Sequence, residues 1–344
     1  MQQQPLTIGT GATTGQTKGL YGAGRTDAAS VLRGGEGVTT STAYQASEGC
    51  RSKLNHKEPV VVRLHFAVVH YFNPEGGGRH GSLSPDSLGR ANALRELILQ
   101  LHRLFGRPEG ALNHVKRRIE ILEGMESELK ISICITKDKH LLNKLDDLES
   151  VGAFQRVECE PEQPKHLGFH CHRILKQDCT RYDYNCYLED DIIIKDADFF
   201  KKLKRFNQVF SDNYLLQPNR IETSQDLKNL RRFLIDGDYN PGATEKYRQS
   251  MHKELYMDHL GESILFKQPF NTHSGCFFLN ARQSRIYFDS EYWNLEDTSF
   301  HGPLESAATL GVMKVFQIMK PHLSNSQFLT VEHAGRNFIG MLDA

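Results

Sequence analysis

An α/β fold with a mixed, mostly parallel sheet flanked by helices is the architecture this chain of 344 residues predicts. Three observations carry it. β-branched runs alternate with one-face helical patterns through the middle of the chain, which is the signature of parallel strands joined by helical crossovers. Polar residues gather where those runs end, at Asn73, Asp138 and Asp191. Ligands of open sheets of this kind sit beyond the strand carboxyl ends. Finally, residues 1–57 differ from the rest of the chain: ten of the 28 glycines fall in the first fifty positions, among Ser, Thr, Ala and Gln. Such a segment buries too little apolar surface to offset its ordering entropy. The expected organisation is a flexible tail over 1–57 and one folded domain over 58–344.

The elements run in this order. Val60 to Phe72 reads as the first strand and ends in the loop Asn73-Pro74-Glu75-Gly76-Gly77-Gly78. A helix comes next, with Leu94, Leu97, Ile98, Leu101, Leu104 and Phe105 on one face. Its cap lies within Ser84 to Ser87, and Gly106 with Pro108 ends it. Leu129 to Ile135 forms a strand that leads into Thr136-Lys137-Asp138, with a short helix around His140 to Leu148. A helix from about Leu167 to Cys179 precedes the aromatic and aliphatic strand beginning at Tyr182. Tyr214 to Glu222 reads as a strand with its exit. A polar, helix-prone insertion occupies about Ser224 to Glu262. Asn271 to Asn280 leads into a strand, a helix lies near Gln283 to Tyr287, and a last helix runs from Pro303 to about Met319.

The strand at Tyr182 runs into Glu189-Asp190-Asp191 and resumes as Ile192-Ile193-Ile194. Three adjacent carboxylates inside an apolar run are costly unless something cationic sits with them. Strand alternation lets Glu189 and Asp191 point together while Asp190 points away. Two hard oxygen donors at a strand end suit Mg²⁺ or Mn²⁺ carrying a diphosphate.

Composition excludes several classes. The 42 basic and 42 acidic residues balance, so no nucleic-acid footprint is present. No apolar run is long enough to span a bilayer, and the amino terminus lacks the regions of a signal peptide. A soluble, cytoplasmic protein is therefore expected. Seven cysteines, odd in number and without a CxxC pair, argue against a disulfide framework or a zinc ribbon. His170-Cys171-His172 has no partner cluster at metal-ligand spacing. Gly9 to Lys18 fails the spacing of a phosphate loop and follows no strand.

Taken in order, four features resemble the core shared by GT-A-fold (Rossmann-like) glycosyltransferases. Glu189-Asp190-Asp191 looks like the family's DxD metal and nucleotide-sugar motif in an EDD form, departing from it by carrying Glu first, and the resemblance makes Glu189 and Asp190 contacts of the nucleotide sugar. His273-Ser274-Gly275-Cys276-Phe277-Phe278 is similar to the glycine loop beneath the donor sugar. Pro303-Leu304-Glu305-Ser306 resembles the acidic helix start that supplies a catalytic base. Val331-Glu332-His333-Ala334-Gly335 is similar to the carboxy-terminal histidine that completes metal coordination. The resemblance covers about residues 58–335 and implies a single catalytic domain over 58–344, with a donor half of about 58–222 and an acceptor half of about 223–344. It also implies metal-dependent transfer of a sugar from a nucleotide-sugar donor, a UDP-sugar by preference, to an acceptor hydroxyl.

Under that resemblance Asp191 and His333 bind metal directly, and the imidazole tilts the preference toward Mn²⁺ over Mg²⁺. Glu189 binds metal through water or accepts from the ribose. Glu305, third residue of a helix opened by Gly302 and Pro303, is either the base, which makes the reaction inverting, or a carboxylate complementing the helix dipole. Gly275 lets the backbone approach the sugar or merely marks a turn. Arg173, just after Gly168 on the preceding helix, holds a phosphate or pairs with Asp190. Asp138, Tyr71 and Asn73 are base and ribose candidates by position. Trp293 is an acceptor-stacking platform or a half-buried core residue. Two other classes stay open. One is a sugar-phosphate nucleotidyltransferase, for which Gly76-Gly77-Gly78-Arg79 would be the phosphate loop. The other is an inactive module that binds nucleotide sugar.

Overall fold

Among residues of this chain the computed structural model describes 62–341, except 77–80, 84, 107–109, 123–127, 225–230, 238–241, 248–250 and 336–337. The expected tail over 1–57, the Gly9 to Lys18 run, and Gly77, Gly78 and Arg79 lie outside the described residues. Strand β1 (Arg63–Val69) is followed by helix α1 (Ser87–Phe105), the hairpin strands β2 (Gly110–Asn113) and β3 (Arg118–Ile121), and β4 (Glu128–Thr136). Then come α2 (Asp146–Ser150), β5 (Gln155–Cys159), α3 (Leu167–Gln177), β6 (Tyr184–Glu189) and the two-residue β7 (Ile192–Ile193). The second half holds α4 (Phe199–Val209), β8 (Tyr214–Leu216), β9 (Asn219–Thr223), β10 (Arg232–Leu234) and α5 (Gly242–Glu245). It continues with β11 (Glu254–His259), β12 (Glu262–Lys267), β13 (Cys276–Asn280) and α6 (Ala281–Asp289). Helix α7 (Pro303–Glu305) runs through a π turn, Ser306–Leu310, into α8 (Gly311–Val315), and β14 (Gln317–Pro321) and β15 (Thr330–His333) complete the order.

The central sheet has the order β13-β6-β1-β4-β5. β6, β1, β4 and β5 are parallel, and β13 pairs antiparallel with β6, Cys276 opposite Leu188. The mixed, mostly parallel α/β architecture expected from the sequence is the one observed. Both faces of β1 are covered, as parallel strands require. Leu64, Phe66 and Val68 face one apolar layer, with α1 and α4; Ala67 and Val69 face the other, with α3, α6 and α8. Helix α1 begins at Asp86, whose carboxylate accepts from the Gly89 N–H at 2.8 Å, and Gly106 closes it with an N–H to the His102 carbonyl. Its buried stripe contains Leu94, Leu97, Ile98, Leu101 and Phe105, while Leu104 is half-buried.

Two smaller four-stranded sheets, β10-β9-β15-β7 and β11-β12-β14-β8, flank the acidic turn that comes after β6. They correct two expectations. The insertion over 224–262, expected to be helix-prone, supplies strands β10 and β11 and only the four-residue α5 among its described residues. Leu255 and Met257 of β11 are buried while their neighbours are exposed, a period of two that its many charges mask. The last helix stops at Val315, not near Met319. Phe316 is extended, and Gln317 to Pro321 form a fully buried strand between β12 and β8. No helix among the described residues is long and apolar enough to cross a membrane.

Candidate active site

The carboxyl ends of β1 and β6 lie side by side, Val69 opposite Glu189, and the chain turns at Asp190-Asp191 before β7. All three acids are buried. Asp190 is spoken for. His70, the residue after β1, accepts the Leu141 N–H on Nε2 at 2.9 Å, so its Nδ1–H donates to Asp190 Oδ2 at 2.5 Å. Arg90, on the first turn of α1, donates to the other oxygen of Asp190 and, at 2.7 Å, to Asp191 Oδ2. The expected alternative pairing of Arg173 with Asp190 is therefore corrected: Arg173 pairs with Glu296 and contacts Asn294 and His170. The partner is a helix whose apolar stripe gave no hint that its exposed-looking Arg90 reaches across 100 residues.

Glu189 and Asp191 are less satisfied. Glu189 Oε1 and Asp191 Oδ1 are buried without a hydrogen-bond partner. Burial, with the charges of Asp191 and Glu305 next, pushes the Glu189 carboxyl well above the usual carboxylate range. Burial would raise Asp191 too, but His333, Arg90 and Arg220 outweigh it and hold that carboxyl below its ordinary value. His333, the last residue of β15, brings Nε2 to 3.5 Å from Asp191 Oδ2. Its Nδ1 lies 2.8 Å from Glu222 Oε1 on β9, and Glu222 also accepts the N–H groups of Phe338 and Ile339. The Ala334 N–H donates to the Asp191 carbonyl, which fixes the loop after His333 to the acidic turn. Sequence order separates His333 and Glu222 by 111 residues, so only the fold discloses Glu222.

The glycine loop closes another side. Gly275, at φ +65°, accepts the Glu189 N–H at 2.8 Å, and a β-carbon there would stand 2.9 Å from Ile192 and 3.2 Å from Glu189 Oε2. A side chain is excluded both by conformation and by space. His273 Nε2 is 3.7 Å from Glu189 Oε1, and burial keeps this imidazole well below its ordinary pKa. Beneath the loop, Lys320 of β14 donates to the His273 carbonyl at 2.7 Å and to Asp236 at 2.8 Å. Arg220 of β9 meets the same Asp236 at 2.7 Å. None of Arg220, Asp236 and Lys320 was singled out from the sequence.

Glu305 is half-buried, with Gly302 as N-cap and Pro303 as first helical residue. Its carboxylate folds back over the cap, since a β-carbon at Gly302 would stand 2.3 Å from Oε2. Its charge is felt at Glu189. The remaining candidates are spread around the cleft or away from it. Asp138 is exposed past the end of β4, Tyr71 is half-buried against the second apolar layer, and Asn73 Oδ1 is buried without a partner. Trp293 is half-buried on the second layer with Lys176 Nζ 3.9 Å over its ring. His172 is buried in that layer, its Nε2–H on the Ala307 carbonyl, so the His170-Cys171-His172 run is no metal site. Gly168 lies where a β-carbon would meet Ala307 at 2.6 Å and the Tyr187 hydroxyl at 3.0 Å, a packing glycine between α3 and the π turn.

A divalent ion can be tested against this donor set. As they stand, no three His, Cys, Asp or Glu side chains among the described residues converge into a ready cage. The two orphaned oxygens on Glu189 and Asp191, and the His333 ring nitrogen 3.5 Å from Asp191, are nonetheless the hard-oxygen and nitrogen donors such an ion takes. The residues fit such an ion in kind.

No family model and no curated sequence matches this chain. Among solved structures it is similar to GalNAc-T7, determined with UDP, GalNAc and Mn²⁺, at 11% identity and a TM-score of 0.41 over 80% of this chain and 44% of that one. It is also similar to TarS of S. aureus, at 11% identity and 0.41, over 82% and 63% of the two chains. A third is a mannose-1-phosphate geranyltransferase from Thermus thermophilus, at 10% identity and 0.33, over 75% and 73%. The chain spans less than two thirds of the length of the first two. Scores this low leave the functional reading to the site itself.

Proposed function

We propose that this protein is a metal-dependent glycosyltransferase of the GT-A type, moving a sugar from a nucleotide-sugar donor, preferably a UDP-sugar, to an acceptor hydroxyl with inversion. One observation carries the reading: at the acidic turn two buried carboxylate oxygens, Glu189 Oε1 and Asp191 Oδ1, have no hydrogen-bond partner, and the His333 imidazole, held by Glu222, lies 3.5 Å from the other oxygen of Asp191. Buried polar oxygens without a partner are unfavourable, and a bound cation would satisfy both. Asp191, His333 and Glu189 would hold Mn²⁺ or Mg²⁺, which when bound supplies Lewis-acid stabilisation of the departing diphosphate.

The chain's own groups do the rest. Arg90 and His70 hold Asp190 and so fix the acidic turn. Gly275, whose carbonyl accepts the Glu189 N–H, lets the loop pack directly against Ile192 and the Glu189 carboxylate and so holds that acid at the strand end. Glu305 accepts the proton of the acceptor hydroxyl as the new oxygen–carbon bond forms and the bond to the phosphate oxygen breaks. Asn73, Tyr71 and Asp138, at the ends of β1 and β4, are base and ribose contacts in this reading; Arg173, tied to Glu296, is a reserve phosphate contact.

The test is release of nucleoside diphosphate from a panel of UDP-sugars with Mn²⁺ and with EDTA. Turnover that needs the metal and falls at least about 100-fold in Asp191→Ala is expected, since removing a group aimed at transition-state charge costs that much. Turnover of Asp191→Ala undiminished in EDTA would refute it.

A further inference from the structure

The hairpin formed by β2 and β3 packs its strands against each other and leaves both largely exposed. Leu112 pairs directly with Ile119, and Ile121 lies two residues further along the same face. These three side chains are 59%, 66% and 60% exposed, and Val115, in the turn at the tip, is 94% exposed. Asn113, Arg118 and Glu120 occupy the opposite face. A two-stranded ribbon is marginal in water by itself, and an apolar face of this kind marks a surface that is covered in use.

Charge says what covers it. His114, Lys116 and Arg117 share the turn with Val115, and Glu120, the one acid in residues 110–122, pairs with Lys116 at 3.0 Å and with Arg118 at 3.2 Å on the opposite face. An apolar tip with Lys116 and Arg117 in the same turn matches an anionic lipid surface: apolar side chains enter the boundary of the acyl chains while the cations meet headgroup phosphates. Position fits as well. The hairpin is inserted between the end of α1 and the start of β4, so it leaves the central sheet at its amino edge. The acidic turn lies at the carboxyl edge, the other end of the same strands.

We infer that the β2–β3 hairpin docks this protein peripherally on an anionic membrane surface, through Val115, Leu112 and Ile119 with Lys116 and Arg117. The inference stands whether or not the chain is a glycosyltransferase. Its test is flotation of the full chain with phosphatidylcholine vesicles with and without phosphatidylserine, beside Val115→Asp and a Lys116→Glu/Arg117→Glu variant. The wild type is expected to float with the serine-containing vesicles only and to be released by salt. Each lost cation should weaken binding about fivefold and the reversals by more. Both variants touch only exposed side chains, so unfolding temperature and donor binding should be unchanged. Absence of flotation with anionic vesicles overturns the inference, as does flotation that both variants leave intact. Concentration-dependent self-association abolished by Val115→Asp, without vesicle binding, also overturns it and assigns the face to a second copy.

Discussion

Glu222 touches neither of the two carboxylates at the acidic turn, yet it decides how His333 presents itself to them. A buried carboxylate on Nδ1 selects the tautomer with a free Nε2, the nitrogen 3.5 Å from Asp191. Glu222→Gln keeps the volume but removes the charge that orients the imidazole. Metal affinity, measured by titration calorimetry with Mn²⁺ and no donor present, is expected to fall about 10- to 100-fold. Equal affinity in the variant would remove Glu222 from the site, whereas no Mn²⁺ binding by the wild type would remove the metal reading itself. The acids were legible in sequence because three charges interrupt an apolar strand. Arg90, His70 and Glu222 were not, because each reaches its partner across at least 100 residues and sits in a segment whose local pattern is ordinary.

At the scale of elements, periodicity disclosed those with one clean apolar face and concealed those decided by tertiary pairing. Helices α1 and α3 and strands β1, β4 and β6 lie where the 3.6- and 2-residue patterns put them. β14 does not: Gln317-Ile318-Met319-Lys320-Pro321 extends a helical pattern, and is a strand because β8 and β12 receive it and Lys320 finds Asp236. The close seam between α3 and the π turn was equally hidden. It depends on Gly168, where even a methyl group meets Ala307 and the Tyr187 hydroxyl. Gly168→Ala gains intrinsic helix propensity of about 1 kcal/mol, yet overpacking here costs about 1–3 kcal/mol. Net loss of stability is therefore expected, with Gly168→Val worse. Chemical denaturation of the two variants checks the order; a stabilised Gly168→Ala would show that the seam is loose.

For the molecule as a whole, two buried clusters tie separate layers together, and both make it sensitive to acid. His172 on α3 joins that helix to the π turn through the Ala307 carbonyl, against the rings of Tyr187, Phe277 and Tyr287. The Tyr287 hydroxyl is the titratable group nearest to it, and burial keeps that phenol protonated. Burial lowers the His172 pKa to about 4. A histidine with a depressed pKa favours the fold while neutral, so its contribution is complete above its unfolded value of about 6.5 and is lost as pH falls from there toward about 4. The loss is on the order of 3 kcal/mol. Asp236 joins β9 to β14 through Arg220 and Lys320, and those cations hold it at about 2 despite its burial. Its contribution is present above the unfolded carboxylate value and lost only below it, in a lower window. Acid unfolding should thus begin with the histidine. The unfolding temperature is expected to drop between about pH 6.5 and 4.5 in the wild type. In His172→Gln, less stable at neutral pH, the drop in that window should be shallower, while Asp236→Asn should keep it and lose the steep fall below about pH 4. Parallel pH profiles for the wild type and His172→Gln would mean that this imidazole is already protonated in the fold.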